Sequence, residues 1–405
     1  MKPAANSGRS LAVLLAGLSA LGPFSIDTYL PSFPEMAASL GASQVEIQQT
    51  LTAYLGAFAF MTLWHGALSD SFGRRRVVLI GLVIYTVASL GCAFATRIEH
   101  LWLLRALQGM SAGAGMVVGR AVVRDIYAGA TAQKMLAHIG VMFALAPAVA
   151  PVIGGWLQVA FGWRSVFFFL TLLGAVLWLS SWWMLSESLP PGRRQPFAAG
   201  HLWRGYRQVL GNPAFLLWCV AFAFMFGGFF IYVLSAPVFL MQHLGRGETE
   251  FIWLFGPAMA GLMAGSWLSG SIAGRWTPGT TLLRAFLILG AGAGINLAIS
   301  LTLPAGIPWS IVHLFVYNLG MGLAMPALTL LALDCFPDRR GMAASCQSLI
   351  QTGANALYAS LLVPLLWGST LTLALGMAVL AALGGAGVLL NHWLHWRGRT
   401  DQEPR

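Results

Sequence analysis

Residues 66–76 read GALSDSFGRRR, a polar turn set between two apolar runs, and the length of those runs decides the fold. Each flanking run holds about 20 mostly apolar residues, enough for a helix to cross a hydrocarbon core of roughly 30 Å. Such runs recur along the whole chain, at 9 to 31, 46 to 69, 77 to 96, 100 to 121, 136 to 159, 165 to 185, 213 to 238, 251 to 273, 282 to 303, 308 to 333, 342 to 367 and 370 to 394. Composition agrees. The 405 residues are 58% hydrophobic and 9% charged, with mean hydropathy +0.74, whereas soluble domains carry about a quarter charged residues. The pattern predicts an all-α integral membrane protein with twelve transmembrane helices. The alternating polarity of a membrane β-barrel is absent, so the cell's inner or plasma membrane is expected. Lys2 and Arg9 precede the first run without a convincing small-residue cleavage site, which reads as an uncleaved first span.

The net charge of +10 invites a nucleic-acid reading, and the positions of the basic residues answer it. Arg74, Arg75, Arg76, Arg120, Arg124, Lys134, Arg193, Arg194, Arg204, Arg207, Arg275, Arg284, Arg339, Arg340 and both termini fall on one side of the predicted spans; Arg97, Arg164 and Arg246 fall on the other. That asymmetry is the positive-inside rule. It places both termini in the cytoplasm and removes the need for nucleic acid. Cys92, Cys219, Cys335 and Cys346 show no CxxC spacing, so neither a disulfide frame nor a metal site is expected.

The longest polar interruption, SESLPPGRRQPFAAGHLWRGYRQVLGN at 186–212, divides the spans six and six. The expected organisation is an N-terminal half at 1–185, a cytoplasmic linker at 186–212 and a C-terminal half at 213–405. Within the linker Leu202, Trp203, Tyr206, Val209 and Leu210 recur at helical spacing opposite His201, Arg204 and Arg207, the pattern of a helix lying among lipid headgroups or, equally, of a short helix in a solvated linker. A trace of internal repetition supports two halves: SGSIAGRW at 269–276 aligns Gly274 and Arg275 on Gly73 and Arg74, with Ser271 opposite Asp70.

Topology alone accounts for the Arg74–Arg75–Arg76 triplet but not for Gly66, Asp70 and Gly73 at their spacing. Asp70 can pair with one of those arginines, or with Arg124 from another loop, and latch this face. The stretch resembles motif A of the major facilitator superfamily, GxLaDrxGrkxxxl. RALQG at 105–109 is similar to that family's RxxQG motif, and APAVAPVIGG at 146–155 to the GxxxGPxxGG motif of its antiporters. Ala146 and Ala150 replace glycines of the latter, while Pro151, Gly154 and Gly155 remain. SIDTYLP at 25–31, VRDIY at 123–127 and ESLPPGRRQPF at 187–197 look like the Bcr/CflA group of drug-resistance transporters. The resemblance implies the major facilitator fold, with two six-helix halves alternating access to a midplane cavity, and proton-driven export of small, antibiotic-like molecules. A facilitator or importer of nutrients with the same fold is the rival reading.

Two charges sit clearly inside spans, Asp27 and Arg105. Each costs about 2.5–3.5 kcal/mol on insertion scales, so such groups face a protein interior or a water-filled cavity. They can form a static ion pair. Alternatively Asp27 exchanges a proton, since burial favours the neutral carboxyl and a nearby cation the ionised one, while Arg105, which keeps its proton, competes for the carboxylate. Pro23 loosens the helix before Asp27; Pro31 and Pro34 are expected to end it. Some exporters of cations similar to this group carry a second acid two turns earlier, where this chain has Ser19, so neutral or weakly charged drugs of bicyclomycin or phenicol type are expected, with cations as the alternative.

Candidate cavity residues are Tyr29, Tyr54, Phe58, Met61, Gln108, Phe229, Tyr232, Asn318 and Gln351, with Phe224, Phe239 and Met241 as further apolar lining. Asn296, His313, Gln347 and Asn355 are read as interhelical hydrogen-bonding groups. The gating set is Gly66, Asp70, Gly73, Arg74, Arg75, Arg124, Pro151, Gly154 and Gly155. No cofactor is expected beyond the proton as coupling ion. The expected partners are a drug-like molecule and the bilayer, with the chain acting as a monomer. GMSAG at 109–113 satisfies the GxSxG pattern of serine hydrolases, but that motif needs a strand-to-helix elbow, and no spacing ties Ser111 to His138 or His313. An enzyme is not expected.

Overall fold

The computed structural model describes residues 5–127, 129–194, 197 and 199–400. Lys2 and the side chains of Arg9, Lys134, His138 and His201 fall outside that description. The described residues form helices and turns, with no strand beyond an isolated bridge between Ala273 and Trp276. In hydrocarbon every backbone N–H and C=O must be satisfied within its own segment, which leaves helices as the outcome for runs of this composition.

The chain divides into two compact units, Met1–Ala198 with Gly247–Ile252, and Ala199–Arg246 with Trp253–Arg405. Unit 1 holds α1 (Ala5–Asp27), α2 (Phe33–Leu40), α3 (Gln44–Phe72), α4 (Arg74–Ala93), α5 (Ile98–Ile126), α6 (Gly129–Phe161) and α7 (Arg164–Met184). In it α5 packs on α3 and α4, α4 on α7, and α1 on α5 and α6. Unit 2 holds α8 (Ala199–Leu210), α9 (Pro213–Leu234), α10 (Ile252–Ile272), α11 (Pro278–Thr302), α12 (Trp309–Asp334), α13 (Arg340–Leu357), α14 (Val363–Leu366) and α15 (Thr370–Thr400). There α11 packs on α12 and α15, and α9 on α12, α13 and α15. Among the described residues eleven helical stretches are long and apolar enough to cross a membrane, and Leu145–Phe161 of α6 is a shorter apolar one.

Local chemistry fixes the helix starts. Ser43 and Glu46 form a capping box on α3, each side chain bonding the other's backbone N–H. Asn212 and Thr277 cap α9 and α11, and each is followed by proline, which lacks the N–H that a first turn leaves unpaired.

Two expectations are corrected. The first span does not end at Pro31 and Pro34: α1 stops at Asp27, a 3-10 turn covers Leu30–Ser32, and α2 continues to Leu40. Both prolines sit in first turns, where they start helices rather than stop them. The linker helix α8 does not give its whole apolar face to lipid. Tyr206 and Val209 are buried, with α8 against α9 and α13, and only Trp203 stands fully out.

Candidate functional site

Unit 1 builds a charge centre around Arg105, in the second turn of α5. Gly109, one turn on, lets α3 approach so closely that a Cβ there would strike the Tyr54 carbonyl oxygen. This contact lays the Tyr54 ring on the guanidinium of Arg105, 4.4 Å from its centroid, while Tyr29, from the turn after α1, covers it at 4.3 Å. All three side chains are fully buried. Two desolvated cation–π contacts, each worth about 2 kcal/mol, offset part of the burial of the charge.

A hydrogen-bonded chain extends the centre. Arg105 Nη1 donates to Gln108 Oε1, Gln108 Nε2 to Ser89 Oγ at 2.7 Å, and Ser89 to the Tyr85 carbonyl at 2.7 Å. The Tyr85 hydroxyl shares a 2.6 Å hydrogen bond with Ser25, and that of Tyr29 a 3.0 Å one with Thr50. Ser25, Thr50, Tyr85 and Ser89 escaped the sequence reading, although Ser25 stands inside the SIDTYLP segment quoted for its resemblance.

Asp27 does not pair with Arg105. The residue is 3% exposed, and among the described residues no hydrogen bond or ion pair reaches the carboxyl. The geometry of α1 explains the separation: Ser25 faces Tyr85 of α4, and Asp27, two residues on, lies about 200° around the helix. Arg105 meanwhile keeps Nε and Nη2 without partners between its two rings. A carboxyl and a guanidinium thus sit buried in one unit with uncommitted bonding capacity. Both lie toward the end opposite the arginine-rich loops, Asp27 as the last residue of α1 and Arg105 in the first turns of α5. Ser19 is buried and donates to the Leu15 carbonyl at 2.9 Å.

The glycines of α6 hold the segment beside Asp27. A Cβ on Gly154 would collide with the Thr28 carbonyl oxygen, and one on Gly155 with that of Glu248. Pro151 lies within the continuous α6.

At the other end of unit 1 the motif from Gly66 to Arg76 forms a lock. Arg74 Nη1 meets Asp70 at 2.5 Å and donates to Ser69 Oγ at 2.6 Å; its Nε meets Asp125 at 3.1 Å. Ser69 in turn donates to the Gly66 carbonyl at 2.8 Å. Gly73 adopts φ +98°, a conformation that favours glycine, and the Arg74 N–H donates to Glu187 Oε1 at 2.9 Å. Ser188 donates to Asp125 at 2.8 Å, and Arg75 to the Trp182 carbonyl at 2.7 Å. Of the two expected partners for Asp70, Arg74 of the triplet is the one that pairs with it, while Arg124 takes no part: on the last turn of α5 its neighbour Asp125 faces Arg74. Asp125 and Glu187 lie in the quoted VRDIY and ESLPPGRRQPF segments, where their charge was the available clue. Unit 2 repeats the turn but not the lock. Gly274 has φ +79°, and Ser271 donates to its own helix, at Trp267.

The other candidate cavity residues divide. Phe58 is half-buried against Tyr54, at a centroid distance of 6.2 Å, and Met61 lines a separate cavity between α3, α4 and α5. In unit 2 Tyr232 is buried, accepts from Asn296 Nδ2 at 2.7 Å and packs against His313, ring centroids 5.0 Å apart and tilted by 56°. Phe229 is buried, Gln351 is half-buried, and Asn318 spends its amide N–H on the Leu314 carbonyl one turn back. Ser111 lies within α5 and donates to the carbonyls of Leu107 and Gln108 at 3.0 Å each, so the GxSxG pattern forms no nucleophile elbow.

Comparison with known proteins agrees with this architecture. The chain is 32% identical over 350 residues to an uncharacterized MFS-type transporter, YdgK of Bacillus subtilis, covering 86% of this chain and 87% of that one. It is 28% identical over 345 residues to a bicyclomycin resistance protein homolog of Haemophilus influenzae, covering 85% and 86%. The crystal structure of the nucleoside transporter NupG superposes with a TM-score of 0.75 over 95% of this chain and 99% of that one, at 12% identity, a likeness of fold alone. The sequence model of the Major Facilitator Superfamily matches residues 15–359, and on that match the chain belongs to this superfamily of multi-pass membrane transporters rather than to any class of enzyme.

Proposed function

We propose that this transporter exports small, antibiotic-like molecules of bicyclomycin or phenicol type across the inner membrane in exchange for protons, as a monomer with cytoplasmic termini. The observation that carries the reading is Asp27, a buried residue, 3% exposed, whose carboxyl has no partner among the described residues. A buried acid with nothing to neutralise it is held for exchange rather than for stability. A periplasmic proton would neutralise Asp27 and discharge the drug; release of that proton to the cytoplasm would restore the carboxylate. Arg105 does not pair with Asp27 in this conformation, but its two unpaired guanidinium nitrogens would let it take up the carboxylate in another and there compete with the proton. Resistance to bicyclomycin, named for the Haemophilus relative, supports the choice of cargo, and the single buried acid of the first span favours neutral molecules.

The energetics suffice. One proton yields about 2.3 kcal/mol per 100 mV and about 1.36 kcal/mol per pH unit. At about 100 mV and half a pH unit it supports roughly a hundredfold gradient, since tenfold needs about 1.4 kcal/mol.

The test uses inverted membrane vesicles with an imposed proton gradient. Accumulation of labelled bicyclomycin or chloramphenicol, with proton release on addition of drug, is the expected result. Equilibration without accumulation would instead make the chain a facilitator.

A further inference from the structure

The three arginines that follow Gly73 meet three different fates. Arg74 is consumed by Asp70, Ser69 and Asp125. Arg75 donates to the Trp182 carbonyl and stands 4.9 Å from the centre of that indole. Arg76 is exposed and, among the described residues, has no hydrogen bond, ion pair or ring contact.

Arg76 instead lines a cavity of about 460 Å³ between α3, α4 and α5. Along α4 the lining runs from Arg76 through Ile80 to Ile84, a depth of about 12 Å at 1.5 Å per residue. Met61, Leu68 and Met110 face it from α3 and α5. Two other polar residues, His65 and Ser111, stand in its walls. His65 is buried with Nδ1 facing Gly113, whose Cβ would lie 3.2 Å from that nitrogen, and the Ser111 hydroxyl is spent on its own helix. Ile80, Ile84 and Met110 are exposed along the opening, as befits side chains that face lipid. The lining is therefore apolar along its depth and cationic at the end that begins α4.

We propose that this groove binds an anionic phospholipid of the cytoplasmic leaflet, one acyl chain lying along Ile80 and Ile84 and the phosphate headgroup resting on Arg76. Charge complementarity selects the occupant. A soluble anion would use Arg76 and leave the groove empty; an apolar drug would fill the groove and ignore Arg76. Only an amphiphile with an anionic head satisfies both, and a cation beside an apolar channel at headgroup depth matches it. Bound there, the lipid ties down the first turn of α4, two residues from Arg74 of the lock.

Native mass spectrometry of the full chain, released from bilayers holding equal phosphatidylglycerol and phosphatidylcholine with identical acyl chains, tests the site. The wild type is expected to retain phosphatidylglycerol preferentially. Arg76→Gln should weaken that retention about fivefold, the effect of one cationic side chain at an anionic surface, and Arg76→Lys should preserve it. Ile84→Trp, which fills the groove from its lipid-facing side, should reduce retention of both lipids. Arg275→Gln removes a basic residue from unit 2 and should change nothing. The proposal is overturned if Arg76→Gln retains phosphatidylglycerol as the wild type does, if Arg275→Gln loses as much, or if Ile84→Trp has no effect.

Discussion

The guanidinium of Arg105 stacks on the ring of Tyr29 at 4.3 Å, and Tyr29 follows Asp27 by two residues in the turn that ends α1. The two buried charges are therefore linked through that short turn and not through an ion pair. A change at the Asp27 carboxyl that shifts the turn moves the ring on which Arg105 rests. On this view Tyr29→Phe, which keeps the ring and gives up the hydrogen bond to Thr50, retains most transport. Tyr29→Leu removes the π face and lowers the transport rate about thirtyfold, the scale of one desolvated cation–π contact of about 2 kcal/mol. Initial rates of drug uptake into inverted vesicles distinguish the two.

Asp27→Asn keeps the size of the side chain and removes its proton chemistry. Uphill accumulation driven by a pH gradient should vanish in this variant, while exchange of labelled for unlabelled drug at equal pH persists. Proton-driven accumulation at the wild-type level in Asp27→Asn would refute the assignment of Asp27 as the exchanging group.

Backbone contact at glycines sets the geometry of the charge centre. Gly109→Ala would press a methyl group into the Tyr54 carbonyl, and Gly154→Ala into that of Thr28. Overpacking of this kind costs about 1–3 kcal/mol, so both variants should melt at lower temperature in detergent and transport poorly. Gly56→Ala is the control: nothing lies within 4 Å of a Cβ there, and alanine is the better helix former by about 1 kcal/mol. Its melting temperature should be unchanged or higher.

In the lock, Glu187 accepts from the N–H groups of both Arg74 and Leu189, at 2.9 and 3.0 Å. Glu187→Gln weakens both bonds by removing the charge from the acceptor. Amide hydrogen exchange at Arg74 and Leu189 should accelerate severalfold, and Asp125→Asn should loosen Arg74 similarly. Asp70→Asn should matter less. The Asp70 side chain is 42% exposed while that of Arg74 is 9% exposed, and an ion pair with one partner in solvent contributes little.

The sequence carried the apolar runs because hydrocarbon demands them, and it carried Gly66, Asp70, Gly73 and Arg74 because a turn and a charged latch need those residue types. It could not show that Asp27 and Arg105 miss each other. That depends on the turn at Thr28 and Tyr29 and on two tyrosine rings arriving from that turn and from α3, which are contacts between distant segments. Asp125 and Glu187 were visible as charges, but the choice between Arg124 and Asp125 is a matter of helix rotation, which no composition fixes. The prolines of the first span misled for a related reason: the same residue ends one helix or opens the next according to which residue holds the cap.

His313 provides a last test, in unit 2. It is fully buried, both ring nitrogens lack partners, and its ring packs against that of Tyr232 at 5.0 Å. An unsatisfied buried polar group costs about 1–3 kcal/mol, so His313→Leu should raise the melting temperature of the protein by a few degrees. The tyrosine beside it has its own proton to offer, since its oxygen already accepts from Asn296. If the histidine is kept for transport, its unpaired nitrogens would serve an arrangement in which drug or water reaches the ring. The same variant should therefore transport more slowly despite its greater stability. If His313→Leu gained stability at no loss of transport, the histidine would be no more than a packing residue.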